Sequence, residues 1–527
     1  MWRQQRTIIE LVFLVRALLA IAFVAAPVFA QDESSPETLA GRIDTLLERR
    51  AAQRAFWGVQ AIELSTGKVR YGRNAGKLFI PASNAKLFST ALALERLGPD
   101  YRFRTVLGTN AEVEEGALKG DLLLIGGGDP NFSSRVIPYD PDTEFRDDRL
   151  EPIRELAGQL AAHGITKIEG DIVGDDSRYV WDPYPSGWAI GDALWGYGAP
   201  VSALTFNDSA IEVLVRPSAP GQPARLKVDP PVDFFQITNH TRTAATRRVA
   251  RSIGMDRTED DNGVEIWGEI SVRSPGRDLN VAAADPALFA AAVLKSVLQE
   301  AGVEITGVAR AKHTEPHQVP DLKNAPGVEI VDPTTILAER SSKPLSELIR
   351  TINKESQNLH AEMLFREVGW RRRGVGSVEA AIEETRDFLA ESGLSPWEFF
   401  LNDASGLSRK NLVSPAGAVK LLKRMWGSDQ RDAYIGSLAI GGQDGTLDWR
   451  FSRGPAKGRV RAKTGTLSHI TALAGYATDS AGEELAFAVF VNNFGVSTSY
   501  IRSIVDAIVV ELVTSPSAGP LPAGQRE

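Results

Sequence analysis

The 527-residue sequence contains no cysteine. That excludes a disulfide framework, a thiol nucleophile, a Cys-ligated metal and a lipid-modified N-terminal cysteine, so stability must come from ordinary core burial, for which the chain is long enough. No Lys/Arg-rich tract is present, and the net charge of −8 has the wrong sign for polyanion binding, so no nucleic-acid partner is expected. Histidine is scarce at six residues. There is no H-E-x-x-H pattern for a zinc peptidase and no G-x-S-x-G elbow for a Ser-His-Asp hydrolase. The sequence therefore calls for no metal and no cofactor. Beyond residue 30 no apolar run is long enough to span a bilayer.

What is present begins with a distinct N-terminal segment. Arg3 and Arg6 precede the apolar stretch from Ala17 to Ala26, and Val28-Phe29-Ala30 supplies a small-x-small ending before Gln31. This is the layout of a secretory signal peptide (1–30) cleaved after Ala30. An uncleaved anchor is the alternative, since Leu11 to Ala30 approaches spanning length, but Arg16 within it is costly at a membrane centre. A periplasmic protein is expected. Loose membrane association stays open, with no anchor visible after the signal.

The remaining chain is 43% hydrophobic and 24% charged overall, as folded proteins are, and its length suits two or three domains. Thr38 to Gln53 reads as an amphipathic helix. Trp57 to Leu64 and Lys68 to Tyr71 read as a hairpin around Ser65-Thr66-Gly67, and Asn84 to Leu97 as a helix closed by Gly98-Pro99. At the other end Arg459 to Thr464, Thr471 to Thr478 and Leu485 to Asn492 read as strands, followed by a helix from Tyr500 to Val513. These patterns predict one sheet built from both chain ends, with a helix-rich region from Glu347 to Trp426 completing that domain (31–102 and 334–514). Residues 103–333 alternate short strands with Gly/Pro turns and read as inserted, mostly β domains. The Pro/Gly/Ala-rich tail 515–527 is expected to be disordered.

Three short motifs carry chemistry. In Ser83-Asn84-Ala85-Lys86, positions i and i+3 share a helical face, so hydroxyl and amine can meet. A lysine whose pKa is lowered by burial can act as base toward a serine that is otherwise a poor nucleophile. Taken alone, the pair is more simply a helix cap and a solvated lysine. Ser356-Gln357-Asn358 offers a second hydroxyl to relay a proton and an amide to orient the lysine. Lys463-Thr464-Gly465-Thr466 places an amine and hydroxyls on a strand edge, which suits a terminal carboxylate, and Gly465 leaves room for a substrate backbone laid alongside. The backbone N–H groups of Ser83 and Thr466 could together form an oxyanion hole.

In this order, S-x-x-K, S-x-N and K-T-G form the triple of penicillin-binding proteins and class A β-lactamases. With the segments PASNAKLFSTALALERLG, LLLIGGGDP, GDIVGDDSRY, DASGLSRKNLVSP, GGQDGTL and AKTGTLSHITALAGY, the chain resembles the penicillin-binding protein 4-type D-alanyl-D-alanine carboxypeptidase/endopeptidase family. The long insertion between the first two motifs belongs to that likeness. The resemblance implies an α+β multidomain fold, with a serine β-lactamase/transpeptidase-like catalytic domain and two inserted domains, one nested in the other. It implies Ser83 as nucleophile, Lys86 as base, Ser356 and Asn358 as second-motif groups, and Lys463, Thr464 and Thr466 as the substrate-binding edge. The substrates would be peptidoglycan stem peptides ending in D-Ala-D-Ala, with β-lactam antibiotics as covalent inhibitors.

The nearest rival is a β-lactamase. Glu398-Phe399-Phe400-Leu401-Asn402 matches the E-x-x-L-N loop whose glutamate drives deacylation in class A enzymes. It runs straight into Asp403-Ala404-Ser405-Gly406, however, which fits the carboxypeptidase pattern, and a buried strand or loop is the plainer reading. His360 and His469 lie near the second and third motifs and are expected to be ordinary satisfied histidines. Gly126-Gly127-Gly128-Asp129 lacks a following Gly-Lys-Ser/Thr and reads as a tight turn rather than a phosphate loop.

Overall fold

The computed structural model describes residues 38–246, 252–258, 262–325 and 333–516. The expected signal peptide and the tail from residue 517 lie outside the described residues.

The first helix, α1 (Leu39–Leu47), leads into the hairpin β1 (Phe56–Glu63) and β2 (Val69–Arg73), and helix α2 (Ala85–Leu97) follows. After the insertion come helices α3 (Leu345–Lys354), α4 (Asn358–Arg373), α5 (Val378–Glu391) and α6 (Pro415–Trp426). Strands β3 (Ala439–Ile440), β4 (Val460–Leu467), β5 (Ile470–Thr478) and β6 (Glu484–Asn492) precede the closing helix α7 (Thr498–Thr514). The six strands form one antiparallel sheet in the order β2-β1-β6-β5-β4-β3, so β1 from the beginning of the chain pairs with β6 from its end.

β5 and β6 are nearly continuous apolar runs because both of their faces are covered. Side chains alternate across a strand, and the two sets enter different cores. Ala472, Ala474, Tyr476, Ala486, Ala488 and Phe490 face a core shared with Phe88, Leu348, Leu364 and Leu422. Leu473, Ala477, Leu485, Phe487, Val489 and Val491 face a second core filled by Ile43, Ile504, Ile508 and Leu512 of α1 and α7. The sheet is thus sandwiched between a terminal helix pair and a helix-rich layer. No helix among the described residues is long and apolar enough to cross a membrane.

The insertion builds its own sheets. A five-stranded sheet takes the order 309–314, 172–180, 122–125, 104–109 and 335–341. Its last strand, Thr335–Ser341, runs antiparallel to Arg104–Thr109. Between the strands Ile172–Val180 and Ala309–Thr314 the chain makes two further three-stranded sheets. Helices Glu151–Ala161 and Pro286–Glu300 contribute to the same extended core as these strands.

Candidate active site

Ser83 does not cap α2. It sits in a tight helical turn, Ala82–Asn84, that runs into the helix without any side-chain cap, and Ala82 adopts φ +47°. Two glycines let other segments close on this turn. A Cβ on Gly465 would stand 2.7 Å from the Pro81 carbonyl oxygen and 2.9 Å from Asn84 Nδ2. A Cβ on Gly406, at φ +83°, would stand 1.9 Å from the Ala82 carbonyl oxygen. The absence of a side chain at Gly465 thus makes room for the turn carrying Ser83.

Lys86 is fully buried, with Nζ 3.2 Å from Ser83 Oγ. The same nitrogen donates to Asn358 Oδ1 and to the Ser405 carbonyl, both at 2.6 Å. Burial pushes this lysine down to about 7, against the opposing pull of the Asp403 and Glu362 carboxylates. In the neutral amine, two hydrogens serve the two carbonyl oxygens and the lone pair is left for the Ser83 hydroxyl.

Lys463 is also fully buried and donates to Ser356 Oγ at 2.9 Å and to the Thr464 carbonyl at 3.0 Å. Burial, and then the charge of Lys86, hold it well below the ordinary lysine range. Ser356 adopts φ +64°, a strained conformation for a residue with a Cβ, at the bend between α3 and α4. Asn358 opens α4 and donates through Nδ2 to the Tyr197 carbonyl at 2.8 Å, so an inserted residue fixes the amide's orientation. Gln357 turns away. It caps the Leu359 N–H and donates to Asp208 at 3.0 Å, which accords with its standing apart from the chemistry. Thr464 donates to the Thr446 hydroxyl at 2.9 Å.

A cleft of about 500 Å³ opens beside these groups, with Lys86, Lys463 and Thr464 set behind its lining. Ser83, Ser356, Asn358 and Thr466 line it from the three motifs. Asp192 and Tyr197 line it from the insertion and Arg409 from the loop after Asp403, adding one charge of each sign. The insertion is pinned there by Trp188 Nε1, which donates to Asp403 at 2.8 Å, and by Ser408 Oγ, which donates to the Ser186 carbonyl at 2.8 Å.

Glu398 does not border the cleft. It accepts from the Ser395 N–H and from Lys420, each at 2.8 Å, while Phe399–Phe400 pairs with Leu412–Val413. The E-x-x-L-N match is thus a turn and short ladder. His360 is buried against Asp208 at 2.8 Å, and His469 Nδ1 meets the Phe494 carbonyl at 2.9 Å, so both are satisfied. Gly127 packs against the Arg104 backbone and Gly128 against the Tyr179 phenol ring.

Three groups at this site were missed from sequence: Glu362, Asp403 and the Ser405 carbonyl. Asp403 lay within a segment quoted for the family likeness, but Glu362 gave no signal.

The sequence model of the D-Ala-D-Ala carboxypeptidase 3 (S13) family matches residues 39–514. The chain belongs to this family. Among curated relatives it is 32% identical to a D-alanyl-D-alanine carboxypeptidase of Actinomadura sp., over 89% of this chain and 83% of that protein. It is 25% identical to the D-alanyl-D-alanine carboxypeptidase DacB of Haemophilus influenzae, over 85% and 87% of the two chains. The crystal structure of penicillin binding protein 4 from Haemophilus influenzae superposes with a TM-score of 0.74 at 24% identity, covering 89% of this chain and 98% of that one. That likeness establishes the shared multidomain α+β fold. Membership in the S13 family upholds the carboxypeptidase reading over the β-lactamase one.

Proposed function

We propose that this S13-family chain is a serine-type D-alanyl-D-alanine carboxypeptidase that works through an acyl-enzyme on Ser83. The observation that carries the mechanism is Lys86 Nζ, buried, lowered to about 7, and placed 2.6 Å from two carbonyl oxygens and 3.2 Å from Ser83 Oγ. In the neutral amine these contacts leave the lone pair for the serine hydroxyl. Lys86 takes the hydroxyl proton as Oγ attacks the carbonyl carbon of the penultimate D-alanine. The C–N bond to the terminal D-alanine breaks. The departing amine receives a proton relayed through Ser356, which Lys463 positions. Water then hydrolyses the ester and frees Ser83.

Lys463, Thr464 and Thr466 serve the substrate's terminal carboxylate, and the N–H groups of Ser83 and Thr466 serve the oxyanion. The substrates are peptidoglycan stem peptides ending in D-Ala-D-Ala, met in the periplasm after export through residues 1–30. The same site can open the D,D cross-link between stem peptides, an endopeptidase outcome of identical chemistry. The β-lactam bound in a solved structure of the Haemophilus influenzae protein suggests the inhibitor class expected to acylate Ser83 here.

Fluorescent penicillin tests the assignment. Wild-type protein should become covalently labelled and Ser83→Ala should not. An unlabelled wild type, or a labelled Ser83→Ala variant, would overturn it. Mass spectrometry of digested wall fragments identifies the bond: free D-alanine marks carboxypeptidase action and cleaved dimers mark endopeptidase action.

A further inference from the structure

Helix α4 presents Asn358, Glu362 and Arg366 at successive i, i+4 positions, which places all three on one face. Asn358 touches Lys86 directly. Glu362 touches neither Lys86 nor Ser83. Its Oε1 accepts from the Ala404 N–H at 2.9 Å and the Ser405 N–H at 2.8 Å, in the loop whose Ser405 carbonyl accepts from Lys86. Its Oε2 has no hydrogen-bond partner and lies 3.6 Å from Arg366 Nη1, both side chains being fully buried. Arg366 in turn donates to the Asp182 carbonyl of the insertion at 2.7 Å.

A buried carboxylate with one oxygen on two backbone N–H groups is anchored on that side, and its other oxygen faces the Arg366 guanidinium across 3.6 Å without a hydrogen bond. What it holds is the strand of loop that faces the lysine. The next peptide is fixed separately, because the Gly406 N–H donates to Asp403 Oδ1 at 2.9 Å. The Ser405 carbonyl is therefore set by two carboxylates, one on the helix and one in the loop itself.

We propose that Glu362 is a positioning residue for Lys86, acting through the Ser405 carbonyl and through its own negative charge. This rests on Ser83 and Lys86 having the roles given above. When Lys86 accepts the serine proton it becomes a buried ammonium ion, and Glu362 and Asp403 are the carboxylates that face it. Lys463, from β4, is the other amine of the site, itself held well below the lysine range by burial and by the charge of Lys86. Burial and the Asp403 charge raise the Glu362 carboxyl to about 7, against Arg366 and the Ser405 N–H, so it faces Lys86 as an anion at and above neutrality. Removing that charge while keeping the side chain's shape should leave the lysine in place but make it a weaker base.

The experiment follows the rate of Ser83 labelling by fluorescent penicillin against pH, in wild type, Glu362→Gln and Glu362→Ala. The glutamine can still accept from both N–H groups. Its profile should rise at lower pH, by up to about one unit, because a lysine without the neighbouring anion loses its proton more readily. The shift is bounded because Glu362 itself titrates at about 7 in the wild type. Its plateau should fall about threefold, as expected for a weaker base. The alanine variant should lose at least about tenfold in the folding equilibrium constant, measured by urea unfolding followed by circular dichroism, since the loop loses its acceptor. A glutamine profile that superposes on wild type overturns the proposal, whatever alanine does to folding. Failure of the wild type to label at Ser83 would instead overturn the underlying mechanism.

Discussion

Lys463 Nζ and Ser356 Oγ, 107 residues apart in sequence, meet at 2.9 Å beside the cleft. Lys86 and Ser83 make the corresponding pair at 3.2 Å. The site therefore holds two serine–lysine pairs, both lysines fully buried and each disfavouring a charge on the other. Two ammonium ions so placed are costly, so the arrangement favours at least one neutral amine, which is what proton removal from a serine requires.

Acylation should follow the protonation of Lys86. Burial, opposed by Asp403 and Glu362, sets this lysine near 7. Below that pH the amine is protonated and cannot act as base, so labelling of Ser83 should be slow in acid and rise through neutrality. Lys86→Arg, charged at every accessible pH, should lose about a thousandfold or more across the whole profile. Stopped labelling reactions at a series of pH values measure both.

Ser356 separates a backbone requirement from a chemical one. Its φ of +64° is relaxed in glycine and strained in serine. Ser356→Gly should keep or slightly raise the thermal unfolding midpoint while turnover of a D-Ala-D-Ala peptide falls about a hundredfold, because the hydroxyl between Lys463 and the leaving amine is gone. A fall in both would mean that the hydroxyl serves mainly to hold the bend.

Glu398→Ala should leave the lifetime of the penicillin adduct unchanged. Glu398 is committed to the Ser395 turn and Lys420, so it has no water to direct at an acyl-enzyme. The release rate of bound label measures this. Rapid release by wild type that disappears in the variant would restore the β-lactamase reading.

Asp208 joins the insertion to the second motif, accepting from Arg135, His360 and Gln357. Burial alone would raise its pKa, but Arg135 and His360 outweigh burial and hold the carboxyl well below the usual range. The stability it contributes is present above the ordinary aspartate pKa and is lost as pH falls through the depressed value. Asp208→Asn suits the residue's left-handed backbone (φ +56°) and should cost about 3 kcal/mol in urea unfolding near neutral pH, by leaving the buried Arg135 with only the exposed Glu144 as counterion.

Much of the sheet and of the chemistry was legible because it depends on local pattern. The alternation in β5 and β6, the helix closed at Gly98 and the order of the three motifs can each be read from neighbouring residues. The role of Gly465 was legible as a need for space, but not what fills it, since Pro81 and Asn84 approach from another segment. Glu362 was not legible. A glutamate in a helix is ordinarily solvated, and only the packing of the Ala404–Ser405 backbone onto it makes it a buried acceptor. Tyr197 enters through a backbone carbonyl, which no residue type announces.

The pairing of β1 with β6 also bears on when the enzyme can exist. Ile80 and Asn492, 412 residues apart, share a hydrogen bond, and the turn at Ser83 rests on β4 through Gly465. Contacts of such long range form late, after the entropy of closing a very large loop has been met. The inserted sheets close among themselves and can assemble first, as a template on which the two ends converge. An emerging chain thus carries its nucleophile from the start but remains catalytically silent until its last strands arrive.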